Sequence, residues 1–258
     1  MNHKNKISSK IKSILISQPK PAEDVKSPYL ELAKKYKLDI TFRKFITIEG
    51  IPAKEFRKDK INILDFTAII MTSRNAVDHF FRICDEMKIT IPETLKYFCI
   101  SESTAYYLQK YVQFRKRKIF CGKQDFNELI EVIKKHKNEK FLLPCSDIHK
   151  QDIPQMLDEC EIFYKKAILY KTLASDLSDI NINDYDMLVF FSPAGIKSLF
   201  KNFPNFTQGN KHIGAFGATT AKAVKDTGLI LNVEAPTKKA PSMAMALDQY
   251  IEKINNKK

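Results

Sequence analysis

Glycine is scarce in this chain, and the few glycines are concentrated in one region. Only 7 occur among 258 residues, and four of them lie between positions 209 and 228. No G-x-G-x-x-G or Walker sequence is present, so no motif for docking a nucleotide cofactor is visible. The G-x-S-x-G sequence that marks a nucleophilic serine is missing as well.

Cysteine and histidine are sparse, with five of each. The cysteines are odd in number, widely spaced and without a C-x-x-C pair, which argues against a disulfide framework and against a zinc site. The histidines are equally dispersed. We therefore expect no metal and no cofactor. The cysteines are Cys84, Cys99, Cys121, Cys145 and Cys160.

No run of eighteen apolar residues exists, and the polar, basic start lacks an apolar core of the signal-peptide type. We therefore expect a soluble, cytoplasmic protein without a membrane partner. The formal charge of +13 indicates an anionic partner, either nucleic acid or a polycarboxylate or phosphate ligand. The segment "FRKRK" (114–118), with its neighbouring aromatic residues, is the candidate for the first alternative.

The glycine-rich region contains the junction "HIGAFGATTAKAVKDTG" (212–228). Its pattern predicts a short buried strand over 213–216, a turn at Gly217, and a helix capped by Thr219 or Thr220 that ends at Gly228. A helix start of this kind presents backbone N–H groups and favours negative charge, so the junction is a candidate anion site. An ordinary capped helix is the alternative.

The chain contains an internal repeat. "TAIIMTSRNAVDHFF" (67–81) aligns with "DMLVFFSPAGIKSLF" (186–200), and each predicts a four-residue strand that runs through a serine, Ser73 or Ser192, into a helix. The apolar positions of the two helices correspond at i, i+3, i+4 and i+7 spacing. The junction at 212–228 has its own partner in "YFCISESTAYYLQKY" (97–111), where Ser101 stands in place of Gly217.

A weaker pair joins "SILISQPKP" (13–21) to "KFLLPCSDI" (140–148), and each is followed by an extended alternating segment, "DITFRKFITI" (39–48) or "CEIFYKKAILYKT" (160–172). Each repeat therefore alternates strands with helices, as in parallel α/β sheets, which predicts two flavodoxin-like α/β domains. Ligands of such sheets bind beyond the carboxyl ends of the strands. The candidate binding residues at those ends are Thr72, Ser73, Ser101, Ser103, Thr104, Ser192, Gly217, Thr219 and Thr220.

Taken in order, the motifs resemble those of the uroporphyrinogen-III synthase family over nearly the whole chain. The pieces that carry the resemblance are "ILIS", "IIMTSRNAV", "ISESTA", "FLLPCSD", "ILYKT", "FFSPAGI", "GAFGATTAKAV" and "EAPTKKAPSMAMAL". The resemblance implies two α/β domains joined by a pair of antiparallel strands, with a substrate cleft between them. Residues 1–38 with 173–258 would form the first domain, 50–159 the second, and 39–49 with 160–172 the hinge.

The family resemblance also implies an activity. Members are cofactor-free lyases of haem biosynthesis that cyclise hydroxymethylbilane, a linear tetrapyrrole with eight carboxylates, to uroporphyrinogen III with loss of water and inversion of ring D. The tyrosine of "ILYKT", Tyr170, would donate the proton to the leaving hydroxyl. Hydroxymethylbilane synthase, the upstream enzyme, is a further expected partner, and we expect a monomer without a nucleic-acid partner.

The sequence departs from the family pattern at three places. Gln18 follows the first strand where arginine is common, Ser101 replaces a glycine, and "PCSDIHKQD" (144–152) lacks the usual turn glycine. The alternative to an enzyme is a non-catalytic two-lobed module that binds a tetrapyrrole or another anion and has a regulatory role.

Overall fold

The computed structural model describes residues 10–22, 27–113, 115, 117–123, 125–148 and 152–255. The chain divides into two compact units, one formed by Met1–Thr47 with Leu173–Lys258 and the other by Ile48–Thr172. Within the described ranges, every helix is too short or too polar to cross a lipid bilayer.

Strands and helices alternate along the chain. In order they are β1 (Ser13–Ile16), α1 (Pro28–Tyr36), β2 (Asp39–Phe42), β3 (Ile46–Gly50), α2 (Ala53–Phe56), β4 (Ala68–Met71), α3 (Arg74–Glu86), β5 (Lys96–Cys99), α4 (Glu102–Leu108), β6 (Ile119–Cys121), α5 (Phe126–Lys134), β7 (Phe141–Ser146), α6 (Asp152–Glu159), β8 (Tyr164–Ala174), β9 (Met187–Phe190), α7 (Pro193–Asn202), β10 (His212–Phe216), α8 (Ala218–Asp226), β11 (Val233–Ala235) and α9 (Met243–Asn255).

The first unit contains a parallel sheet with the strand order β11-β10-β9-β1-β2. The sheet of the second unit has the order β3-β8-β7-β4-β5-β6, and the five strands from β8 to β6 are parallel. Strands β4 and β9 are buried at every position. Continuous apolar runs of this kind are typical of parallel sheets covered on both faces by helices. The predicted α/β fold with parallel sheets is confirmed.

The predicted repeat is visible as the same strand, cap and helix in each unit. Strands β4 and β9 have the predicted length of four residues, and Ser73 and Ser192 cap the helices that follow them. The repeat also extends to the turn before each strand, because Asp65 and Asp184 each accept a hydrogen bond of 2.7 Å from an asparagine side chain three residues earlier. Both carboxylates therefore close the turn that precedes their strand.

The segment 39–48 was predicted as one extended strand, but it contributes to two separate strands. Residues 39–42 form β2, which pairs in parallel with β1, whereas β3 begins at Ile46 and lies beside β8 in the other sheet. The chain leaves the strand because Phe45 is buried, with its ring 5.7 Å from that of Phe190 in an edge-on contact. Strand β8 begins at Tyr164, four residues later than predicted. That these segments act as a hinge stays a prediction.

Candidate functional site

In the second unit, two helix starts at the carboxyl ends of neighbouring strands have serine caps. The Ser73 hydroxyl accepts a hydrogen bond of 3.1 Å from the backbone N–H of Ala76, and the Ser101 hydroxyl accepts one of 3.4 Å from that of Thr104. Ser101 also lies 3.2 Å from the hydroxyl of Ser103, which is exposed. A serine that caps a helix in this way leaves further N–H groups of the first turn available to an anion.

The first unit has corresponding helix starts, one of which differs from its prediction. Ser192 caps α7 by accepting a hydrogen bond of 3.1 Å from the N–H of Gly195. Helix α8 is capped by Gly217 itself, whose φ of 89° is in the region that favours glycine, and not by Thr219 or Thr220. The prediction of a threonine cap was therefore wrong. Thr219 lies in the first turn of α8 and is exposed.

Two predicted binding residues point away from solvent. Thr104 is 4% exposed and Thr220 is 1% exposed. The Thr104 hydroxyl lies 3.2 Å from that of Ser101, so it supports the cap of α4. Strand-end hydroxyls open to a ligand were expected at both positions, and the structure instead buries both side chains.

A cavity of about 310 Å³ lies at the carboxyl ends of β4, β5 and β7 in the second unit, beside Tyr170 of β8. Three predicted site residues line it together: Thr72, Ser73 and Tyr170. The other lining residues are Ile100, Leu143, Cys145, Ser146, Ile148, Ile153 and Pro154. Its volume is near the lower end of the range for small-molecule sites, and apolar walls with a few convergent hydroxyls are typical of such sites.

Tyr170 owes its position in the cavity to an irregularity in β8. Cys145 is paired with Ile168 and Ser146 with Tyr170, so Leu169 is an extra residue in β8 at this point. A bulge of this kind redirects the side chain that follows it. Tyr170 is only 7% exposed, and this burial raises the pKa of its phenol above the ordinary 10.0, although a hydrogen bond with Ser73 opposes the shift. The phenol is therefore protonated at neutral pH.

A carboxylate closes the turn after β7 at the edge of the cavity. Asp147 accepts hydrogen bonds from the Ser146 hydroxyl at 2.8 Å and from the backbone N–H groups of Ile148 and Thr172 at 2.9 and 3.0 Å. Burial alone would raise the pKa of this carboxyl, but these three bonds lower it. All three bonds fall on Oδ1, and they fix the loop that follows Ser146.

The sequence analysis did not single out Cys145 or Ser146 as site residues, although both belong to the motif "FLLPCSD". The signal that could have found them is the position of Ser146 at the end of an apolar strand, as for Ser73. A second group that was missed consists of His79 and Arg82 on α3. The imidazole of His79 stacks on the Tyr170 ring, and its Nδ1 accepts a hydrogen bond of 3.1 Å from Arg82.

Residues Phe114 and Lys116 of the basic segment 114–118 lie outside the described residues. Of the others, Arg115 forms an ion pair of 3.3 Å with Glu93, and the ammonium group of Lys118 donates to the backbone carbonyl of Glu93. Arg115 and Lys118 are thus engaged within their own unit. No group of three His, Cys, Asp or Glu side chains that could hold a metal ion occurs among the residues whose placement is described.

Comparisons with known proteins agree with the observed fold. The chain matches the family model described as "Uroporphyrinogen-III synthase HemD" over residues 27–245. It is similar in fold to crystal structures of uroporphyrinogen-III synthetase from Helicobacter pylori (TM-score 0.61, 19% identity, 94% of this chain and 99% of that one) and of a mutant uroporphyrinogen III synthase from Thermus thermophilus (TM-score 0.57, 14% identity, 94% and 99%). A search of curated protein sequences found no match. Because the family model spans most of its length, the chain belongs to the uroporphyrinogen-III synthase family.

Proposed function

We propose that this protein cyclises hydroxymethylbilane to uroporphyrinogen III, with inversion of ring D and loss of water, as a lyase of haem biosynthesis that needs no cofactor. The observation that carries the proposal is a buried, protonated phenol, Tyr170, in a cavity bordered by strand-end hydroxyls, in a chain of this family. In this proposal the substrate comes from hydroxymethylbilane synthase, the upstream enzyme.

The cavity volume of about 310 Å³ suits the reacting end of the substrate better than all four pyrrole rings. We therefore assign the cavity to the terminal ring that bears the hydroxymethyl group. The apolar walls exclude water from this ring, which is necessary because water would capture the electrophile formed there.

In the first step, the Tyr170 hydroxyl gives its proton to the substrate hydroxyl, the C–O bond breaks with its electron pair on oxygen, and water leaves. The remaining cation, an azafulvene that keeps its N–H, is attacked by a pyrrole carbon that already bears a side chain, which gives a spiro intermediate. This intermediate fragments and closes in the inverted orientation, and the proton released on closure returns to the phenolate. The product therefore differs from the substrate by one water molecule.

The eight carboxylates are held by the capped helix starts, where backbone N–H groups and hydroxyls can bind anions without an arginine for each. Thr72, Ser73, Ser101, Ser103, Ser192, Gly217 and Thr219 are the residues we assign to this role, and Thr104 and Thr220 contribute through the helix starts to which they belong. The net charge of +13 supports an anionic substrate.

The test is incubation of the purified protein with hydroxymethylbilane, followed by oxidation and separation of the uroporphyrin isomers. We expect the type III isomer, with no metal or cofactor added and with a chelator present. Formation of the spontaneous type I isomer alone would refute the enzyme proposal. Tight substrate binding without type III product would instead identify a non-catalytic module.

A further inference from the structure

The guanidinium group of Arg82 on α3 contacts four neighbours, all within the second unit. Its Nη2 donates to the backbone carbonyls of Ile51 at 2.9 Å and Leu169 at 3.0 Å, and its Nε donates to Nδ1 of His79 at 3.1 Å. Its Nη1 forms an ion pair with Glu86. The planar fork of arginine can meet several acceptors at fixed angles, which the single ammonium group of lysine cannot do.

One of these contacts holds the bulge in β8. Leu169 is the extra residue at the bulge, and its carbonyl accepts hydrogen bonds from both the backbone N–H of Ile51 and the guanidinium of Arg82. Because bulges leave backbone groups outside the regular ladder, an added donor fixes their geometry. The next residue is Tyr170, so Arg82 fixes the backbone from which the phenol projects.

A second contact holds the face of the phenol ring. The ring centroids of His79 and Tyr170 are 4.8 Å apart, and the two planes are 21° from parallel. His79 accepts a hydrogen bond at Nδ1, which only the neutral ring with its proton on Nε2 can do. Burial, and after it the charge of Arg82, also lower the pKa of His79, against the opposite effects of Asp78 and Glu86.

Gly50 provides the space for this guanidinium group. A Cβ at this position would lie 2.7 Å from Nε and 2.8 Å from Cζ of Arg82, which is closer than van der Waals contact allows. Glu86 in turn is held by the backbone N–H of Ala53, at 2.9 Å, so the ion pair has a fixed acceptor. Arg82 therefore lies in a prepared site and not on an open surface.

We propose that Arg82 is a positioning residue for the proton donor, which holds the Tyr170 phenol in its cavity through the carbonyl of Leu169 and the ring of His79. This inference rests on the proposed function, because it assigns Arg82 to the step in which Tyr170 gives up its proton. Arg82 does not touch the substrate, so its loss reduces kcat and leaves KM nearly unchanged.

The test is a double-mutant cycle between Arg82→Lys and Tyr170→Phe, with uroporphyrinogen III formation as the readout. We expect Arg82→Lys to lower kcat about tenfold, since small misplacement of a catalytic group is costly, and to change KM by less than about twofold. In the Tyr170→Phe background it should cause no further loss. The control is Arg115→Lys, which removes an exposed arginine ion pair remote from β8. If the kcat of the double variant is reduced by the product of the two single reductions, the inference is overturned.

A second measurement does not depend on turnover. In protein labelled with ¹³C-tyrosine, the resonance of Tyr170 is identified by its disappearance in Tyr170→Phe. It should shift in Arg82→Lys and in His79→Gln, which removes the stacked ring, and remain in place in Arg115→Lys. If the wild-type protein forms no type III isomer, the proposed function fails, while this spectrum still decides whether Arg82 positions the phenol. An unshifted resonance in both variants would overturn the inference.

Discussion

The imidazole of His79 lies almost flat against the phenol of Tyr170, with the ring centroids 4.8 Å apart. Ser73, which caps the first turn of α3, lines the same cavity as Tyr170. Helix α3 and its cap therefore provide both the ring that stacks on the phenol and a hydroxyl in its cavity. A fixed ring contact of this kind preorganises a proton donor better than burial alone.

Replacing Tyr170 by phenylalanine removes the phenol hydroxyl and keeps the ring that stacks on His79. We expect kcat for type III formation to fall roughly 10-fold to 100-fold, at the low end of the range for general acids because a phenol is a weak acid. The thermal unfolding midpoint should change little, since one hydroxyl is lost at a site where the ring still packs. Tyr106→Phe is the control, because Tyr106 is 76% exposed. Undiminished turnover in Tyr170→Phe would exclude the phenol as proton donor.

Ser73 allows helix capping to be separated from substrate binding. Aspartate and asparagine both cap helices about as well as serine, so Ser73→Asp and Ser73→Asn should leave the free energy of unfolding within about 0.5 kcal/mol of wild type. The aspartate, however, places a negative charge where we expect a substrate carboxylate. We expect KM to rise at least about fivefold in Ser73→Asp and to change less in Ser73→Asn, from like-charge repulsion. Equal KM values in steady-state assays of the two variants would show that no carboxylate binds there.

The sequence-based predictions were correct where the local pattern of an element and its tertiary environment favour the same structure. Strand β4 was predicted with its correct length because it is a run of four apolar residues that ends before Thr72, and the serine after that run marked the start of α3. The prediction for segment 39–48 was wrong because its alternating pattern suits one long strand, whereas burial of Phe45 divides the segment between two strands. The prediction of a threonine cap for α8 was wrong because Gly217, with a φ of 89°, is the cap residue. The capping propensity of threonine alone had favoured Thr219 or Thr220.

The candidate site was predictable only in part for a similar reason. Thr72, Ser73 and Tyr170 were found from strand ends and from the family motif, and the structure brings them to one cavity. Arg82 and His79 were not found, because a polar residue on an amphipathic helix gives no sign of the strand it will meet. The partner of Arg82, the carbonyl of Leu169, is exposed to it by a bulge that has no signature in the sequence.

Substitution of Gly50 by alanine should be destabilising for a steric reason. The new Cβ would lie 2.7 Å from Nε of Arg82, and the guanidinium cannot easily move because four partners hold it. We expect a loss of about 1–3 kcal/mol in the free energy of unfolding, as for overpacked sites. Urea unfolding measures this loss. In an Arg82→Ala background the same substitution should cost much less. An equal loss of stability in both backgrounds would mean that Gly50→Ala acts through the backbone and not through a clash with the guanidinium.

His79 should make the stability of the protein depend on pH below neutrality. Burial and the charge of Arg82 lower the pKa of the folded protein's His79 below the ordinary 6.5, against the effects of Asp78 and Glu86. As the pH falls through 6.5, the unfolded chain therefore takes up this proton before the folded protein does. The contribution of neutral His79 to the free energy of unfolding is complete above about pH 6.5. It decreases as the pH falls toward the pKa of His79 in the folded protein.

The corresponding measurement is urea unfolding of wild type and His79→Phe at intervals between pH 7.5 and 5.5, a range above the ordinary pKa values of the carboxyl groups. Phenylalanine keeps a ring against Tyr170 but does not titrate. The free energy of unfolding of wild type should decrease toward pH 5.5 relative to that of His79→Phe, because every other titratable group is common to both proteins. Parallel curves would mean that His79 has the same pKa in the folded and unfolded chains. If the free energy of unfolding of wild type instead rises toward pH 5.5 relative to that of His79→Phe, the folded protein stabilises the imidazolium, which the hydrogen bond from Arg82 to Nδ1 forbids.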